Sequence, residues 1–188
     1  MDKLVIDIET KNSFADVGGQ QNIKDLKVSL VGVFSYEQNK YLSFNEYQVK
    51  ELNDLLKKTG LIIGFSINRF DIPVLNEHCG INLFNLSRID LLDEIEILLG
   101  QRISLDILAK TNLNTGKTHS SGLEAIRLYK EGKFDELRDY CLNDVKITKD
   151  LYELTKKQGH LLVPHRTTGE MQKAHIHFDE PLMPQSLF

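Results

Sequence analysis

Two carboxylates stand two residues apart inside an apolar run, Leu4-Val5-Ile6-Asp7-Ile8-Glu9-Thr10. Side chains alternate across a strand, so Asp7 and Glu9 share a face with Val5 while Leu4, Ile6 and Ile8 line the other. Neighbouring acids at low dielectric raise each other's pKa, and such a pair persists where a cation or solvent compensates it. A solvated strand end is the plain alternative. A third acid, Asp144, falls on the apolar stripe Leu137, Tyr140, Ile147, Leu151 and Leu154, whose three- and four-residue steps mark one face of a long helix. Tyr140 stands one turn before it, so hydroxyl and carboxylate project together. A buried acid that accepts its neighbour's hydroxyl, or pairs with a lysine, gives the same pattern. A fourth acid, Asp71, lies in Asn68-Arg69-Phe70-Asp71-Ile72-Pro73-Val74-Leu75. It reads as an N-cap ahead of an early proline, or as a site residue in a loop beyond a strand.

The elements that must position these residues are legible in outline. Strands are predicted at Leu4–Thr10, Val28–Tyr36 and Lys40–Phe44, the last two as an antiparallel hairpin around Glu37-Gln38-Asn39. A polar, glycine-bearing loop over 12–27 separates the first two. Helical spacing runs from Glu46 to Thr59 and is expected to stop at Gly60. Leu61–Phe65 reads as a strand covered on both faces, followed by a short helix over 72–79. Arg88–Leu99 reads as a strand passing into a helix, and Ser104 as the cap of a helix to Lys110. A polar loop over 112–121, helices at Leu123–Lys130 and from Phe134 to about Gln158, and a final hairpin of Leu161–Arg166 and Met171–Phe178 complete the chain. The order β-β-β-α-β-α predicts an α/β fold, a mixed sheet layered with helices and with antiparallel strands at one edge, as in the ribonuclease H-like arrangement. Residues 1–158 are expected to form that domain, with 159–188 as a hairpin and tail packed on it.

At 188 residues the chain suits one domain with a real core. A net charge of −4 speaks against tight non-specific phosphate binding but leaves room for an enzyme whose bound divalent ions supply positive charge locally. Cys79 and Cys141 lack CxxC spacing and read as reduced thiols. No apolar run approaches a membrane span and the acidic start lacks a secretory signal, so a cytoplasmic location without membrane contact is expected.

Asp7-Ile8-Glu9, then Asn68-Arg69-Phe70-Asp71-Ile72-Pro73-Val74-Leu75, then Tyr140-Cys141-Leu142-Asn143-Asp144 resemble the three motifs of DEDD-type 3′-5′ exonucleases, in the tyrosine-containing DEDDy branch. The resemblance spans about residues 3–155 and is closest to stand-alone bacterial ribonuclease H-like domains of predicted exonuclease function. It implies that Asp7, Glu9, Asp71 and Asp144 are metal ligands for two Mg²⁺ or Mn²⁺ ions, with Tyr140 as the fifth catalytic residue orienting the attacking water. Oxygen-only ligation suits these hard cations. The implied reaction is hydrolysis of single-stranded or frayed DNA or RNA from its 3′ end to nucleoside 5′-monophosphates.

Thr10 and Phe70 are candidates for the terminal nucleotide, Phe70 by stacking, although core packing is its plainer role. Lys117 and His119 are candidates for phosphate contact. His175 and His177 alternate on a predicted strand but lack a third ligand for zinc. The chain has no Walker-type segment, so strand opening is expected from a helicase or polymerase partner. Two other functions fit the same residues: a structure-selective endonuclease or resolvase, and a non-catalytic nucleic-acid-binding or scaffold module.

Overall fold

In the computed structural model, which describes residues 1–115 and 122–181, the apolar run around Asp7 forms β1 (Asp2–Thr10), the middle strand of a five-stranded sheet. β2 (Val28–Ser35) and β3 (Lys40–Asn45) continue as an antiparallel meander on one side. Helix α1 (Val49–Leu56) carries the chain across to β4 (Thr59–Gly64), parallel to β1. Helix α2 (Asp71–Asn76) leads to β5 (Ser87–Asp90), parallel to β4, giving the sheet order β3-β2-β1-β4-β5. The fold is the expected ribonuclease H-like α/β arrangement, with its antiparallel strands gathered at one edge. Helices α3 (Leu91–Leu99), α4 (Leu105–Leu113), α5 (Gly122–Lys130) and α6 (Phe134–Gln158) follow, then a separate hairpin of β6 (His160–Pro164) and β7 (Met171–His175).

Strand alternation sorts the core into two layers. Leu4, Ile6, Ile8 and Ile62 point to one face, where Leu52 and Leu56 of α1 and Ile72, Val74 and Leu75 of α2 cover them. Val5, Leu61 and Ile63 point to the other, against Val145, Ile147 and Leu151 of α6. β4 is thus apolar on both faces, as its continuous run requires. Leu161, Val163, Ala174 and Ile176 of the hairpin segment join the same cluster as Val5 and Leu151. Each fully buried aliphatic side chain is worth about 1.5–3 kcal/mol, and α6, which brings Asp144 to the sheet, draws on many of them. Among the described residues no helix is long and apolar enough to cross a membrane.

Several boundaries differ from the sequence pattern, each through a tertiary contact. The helix expected over 46–59 is only Val49–Leu56, because the Glu46 carboxylate turns to Lys11 and to the Tyr129 hydroxyl. At the other end Thr59 already pairs with Asp2, so Gly60 lies within β4 rather than ending the helix. α4 runs past Lys110 because Asn112 bonds both the N–H and the carbonyl of Leu162. The 12–27 loop contains a 3-10 turn at Gln20–Asp25. β6 and β7 stop at Pro164 and His175, leaving His177 beyond the strand.

Candidate active site

The sheet register explains how the acids come together. β4 pairs with β1 only to Val5, whereas β2 accompanies β1 to Thr10, so Ile6–Thr10 project past their parallel neighbour. Sites of open α/β sheets gather beyond such strand ends. The N–H of Ile8, between Asp7 and Glu9, donates to Asp71 Oδ1 at 3.0 Å. Asp71 is therefore not the helix cap: Phe70 holds that position and Asp71 is the first residue of α2. Its buried carboxylate is tied to β1 instead.

The loop that delivers Asp71 is held from β5. Asp90 Oδ1 accepts the N–H of Ser66 at 2.7 Å and Oδ2 that of Asn68 at 2.9 Å, while Oδ1 also caps α3 through Leu92 at 3.0 Å. Ser66 adopts φ 65°, a left-handed conformation unusual for a residue with a side chain. Burial raises the Asp90 carboxyl, and the N–H of Asn68 opposes that rise.

From the other side, α6 lies directly on the sheet at Gly32, the cross-strand partner of Asp7. A Cβ at Gly32 would stand 2.7 Å from Cys141 Sγ and 3.0 Å from Val145 Cγ2, so only glycine admits the helix there. Cys141 Sγ donates to Asp7 Oδ2 at 3.6 Å. Ligand atoms of Asp7, Glu9 and Cys141 all lie within 4.8 Å of one another. Tyr140 and Asp144 are both buried on this face of α6. Burial first, then the charges of Glu9, Asp144 and Asp7, push the Tyr140 hydroxyl above its ordinary value of 10. Burial likewise raises Cys141, followed by the charges of Asp7, Glu9 and Asp144. The phenol and the thiol therefore keep their protons at neutral pH, and the three carboxylates act on both.

This donor set fits hard divalent cations. Carboxylate oxygens are their preferred ligands, and a protonated thiol is a poor ligand for softer metals.

Next to Glu9 opens a groove of about 260 Å³ lined by Thr10, Phe14, Phe70, Leu123 and Ile126. Thr10 and Phe70 thus flank the same space. Phe70 also meets Phe14 edge-to-face at 5.8 Å and packs on the core, the plainer of its two expected roles. Lys117 and His119 lie outside the described residues. His160, rather than His177, faces His175 across the hairpin, with ring centroids 5.7 Å apart.

Sequence reasoning missed Gly32 and Asp90. A lone glycine between Val31 and Val33 signals close approach of another element, and an acid between a strand and a helical run signals a cap.

A family profile described as the RNase H superfamily matches residues 4–156. Comparison with curated proteins gives no match. Among solved structures, the family B DNA polymerase from the hyperthermophilic archaeon Pyrobaculum calidifontis shares the fold, with a TM-score of 0.63 and 18% identity. The alignment covers 83% of this chain but 24% of the polymerase, so the chain corresponds to about a quarter of that protein's length.

Proposed function

This chain belongs to the RNase H superfamily, and from that premise we propose that it is a metal-dependent 3′-5′ exonuclease of the DEDDy type, acting on single-stranded or frayed DNA or RNA. One observation carries the reading: ligand atoms of Asp7 and Glu9 lie within 4.8 Å of each other and of Cys141, Asp71 accepts the backbone N–H between the first two, and Tyr140 and Asp144 are buried on the helix that bears Cys141. Asp7, Glu9, Asp71 and Asp144 would hold two divalent ions, Mg²⁺ or Mn²⁺. When bound, such ions stabilise the attacking and departing oxygens of an in-line phosphodiester displacement.

The chain's own residues do the rest. Tyr140, kept protonated, donates a hydrogen bond and so orients the incoming water rather than deprotonating it. Because the site gathers four carboxylates, a phosphodiester approaches it more readily once cations are held there. Thr10 and Phe70 receive the terminal nucleoside in the groove beside Glu9, with the Phe70 ring as a stacking surface. The product is a nucleoside 5′-monophosphate.

The test is a 5′-labelled strand incubated with Mg²⁺ or Mn²⁺. A ladder of stepwise shortening is expected, lost in Asp7→Ala and Asp144→Ala proteins that remain folded, with circular strands left intact. Cutting of circles would replace this reading with an endonuclease. Intact strands in both metals would leave a non-catalytic module.

A further inference from the structure

Leu123 and Ile126, in the first half of α5, border the groove at Glu9, whereas Tyr129 near the helix's end borders a second and larger cavity of about 430 Å³. That volume falls in the range of small-molecule sites. Ser29, Asn45, Tyr47, Tyr129, Phe134 and Arg138 line it.

Its position and chemistry are specific. Glu9 pairs with Leu30 but Thr10 pairs with Val28, so Ser29 is the extra residue of a β-bulge. Bulges re-aim side chains and are common beside active sites. Ser29 is 3% exposed, and among the described residues its hydroxyl has no hydrogen-bond partner. A buried hydroxyl without a partner is costly unless something else supplies one. Two large aromatics are meanwhile left open to solvent at the same cavity, Tyr47 at 86% and Phe134 at 59%. Phe134 stands edge-on to Tyr129, centroids 5.8 Å apart. The inner wall includes Leu30, opposite Glu9, and Leu137, one turn before Tyr140; both pack with Tyr140 in one apolar cluster. The cavity therefore backs directly onto the candidate active site.

Charge narrows the ligand. Glu46 is bonded to Lys11 and Tyr129, and Asp135 to Arg138 at 3.0 Å, so the acids around the cavity are already matched. Exposed aromatic rings beside the Asn45 amide suit a flat, neutral, hydrogen-bonding ring. We infer that this cavity holds one unpaired nucleobase of the bound strand, through stacking on Tyr47 or Phe134. The inference rests on the nuclease reading only for the presence of a strand.

The test uses the full chain with Ca²⁺ in place of Mg²⁺ and a fluorescent single strand, and separately a strand bearing 5-iodouridine for photocross-linking. Adducts are expected on Tyr47, Tyr129 or Phe134. The dissociation constant should rise about tenfold in Tyr47→Ala/Phe134→Ala, and the loss in turnover should fall on KM rather than kcat. Adducts mapping elsewhere, or unchanged strand affinity in the double variant, overturn the inference; so does a cavity filled only by an aromatic side chain of a partner protein. If strands cross-link here but are never shortened, the nuclease reading fails and the base site stands. If shortening proceeds with no adduct in the cavity, the reverse holds.

Discussion

Gly32 and Cys141 approach so closely that a methyl group on Gly32 would stand 2.7 Å from the cysteine sulfur. Gly32 is opposite Asp7 in the sheet and Cys141 follows Tyr140 on α6, so this contact sets how near the helix's tyrosine and acid come to the strand's acids. Gly32→Ala is expected to cost about 1–3 kcal/mol through overpacking and to lower activity by more than the loss of folded protein explains. Adding Cys141→Ala removes the clashing sulfur and should restore part of both. Chemical denaturation and turnover measured over the four-protein cycle check this; strictly additive losses would mean that the two sites do not meet.

Tyr140 is held in its neutral form, first by burial and then by the charges of Glu9, Asp144 and Asp7. Its phenol therefore stays protonated throughout pH 6–9 and contributes as a donor. Tyr140→Phe removes one hydrogen bond to the reacting centre, about 1.5–3 kcal/mol, or roughly ten- to a hundredfold in kcat. Metal affinity should be unchanged, and the pH–rate profiles of the two proteins should run parallel. A neutral-range inflection that disappears in the Phe variant would assign Tyr140 a proton-transfer role instead.

These features were unevenly legible in the sequence. Strand alternation separated Asp7 and Glu9 from Ile6 and Ile8, and the helical stripe placed Tyr140 and Asp144 together, because both signals depend only on local period. Asp71 was ambiguous, since a cap and a cross-strand acceptor leave the same residue before the same proline. Only the ending of β4 short of Ile8 decides between them, and that is a property of pairing. Glu46 misled for a similar reason: it is a good helix former whose actual partners, Lys11 and Tyr129, are distant in sequence. The bulge at Ser29 has no sequence period at all.

Glu180 ties the residues after the hairpin to the main sheet. Burial alone would raise its carboxyl, but hydrogen bonds from Lys156 and Tyr152, with the charge of Lys3, outweigh that and hold it below the usual glutamate value. Lys3 stands 3.3 Å away on β1, and Phe178 packs on Tyr152 with centroids 5.1 Å apart. A carboxyl whose folded pKa is depressed stabilises the fold above its unfolded pKa of about 4.3, and that stabilisation is lost as pH falls through the folded value. Glu180→Gln should cost about 1–2 kcal/mol at pH 7, and the difference from wild type should shrink on acidification below pH about 4. Denaturant melts over that range check the sign, and a gap that widened in acid would contradict it.

Asp90 makes the arrangement of Asp71 depend on a residue outside the three motifs. A single buried carboxylate receives Ser66 and Asn68 from the loop leading to Asp71, and Leu92 from the start of α3. The loop it holds includes Ser66 at φ 65°, a conformation that persists only when surrounding bonds enforce it. Asn68 extends the clamp, accepting from Arg88 Nε at 2.9 Å and donating to Asp93 Oδ2 at 2.8 Å. Asp90→Asn keeps the shape but turns one acceptor into a donor facing an N–H, which should cost about 1–3 kcal/mol. If Asp90 only caps α3, turnover will follow the folded fraction and calorimetric Mn²⁺ titration will match wild type. If it positions Asp71, as these bonds require, Mn²⁺ affinity and kcat will both fall in protein that is fully folded. Excess Mn²⁺ will then recover part of the rate, because a displaced ligand weakens ion binding without removing the other carboxylates.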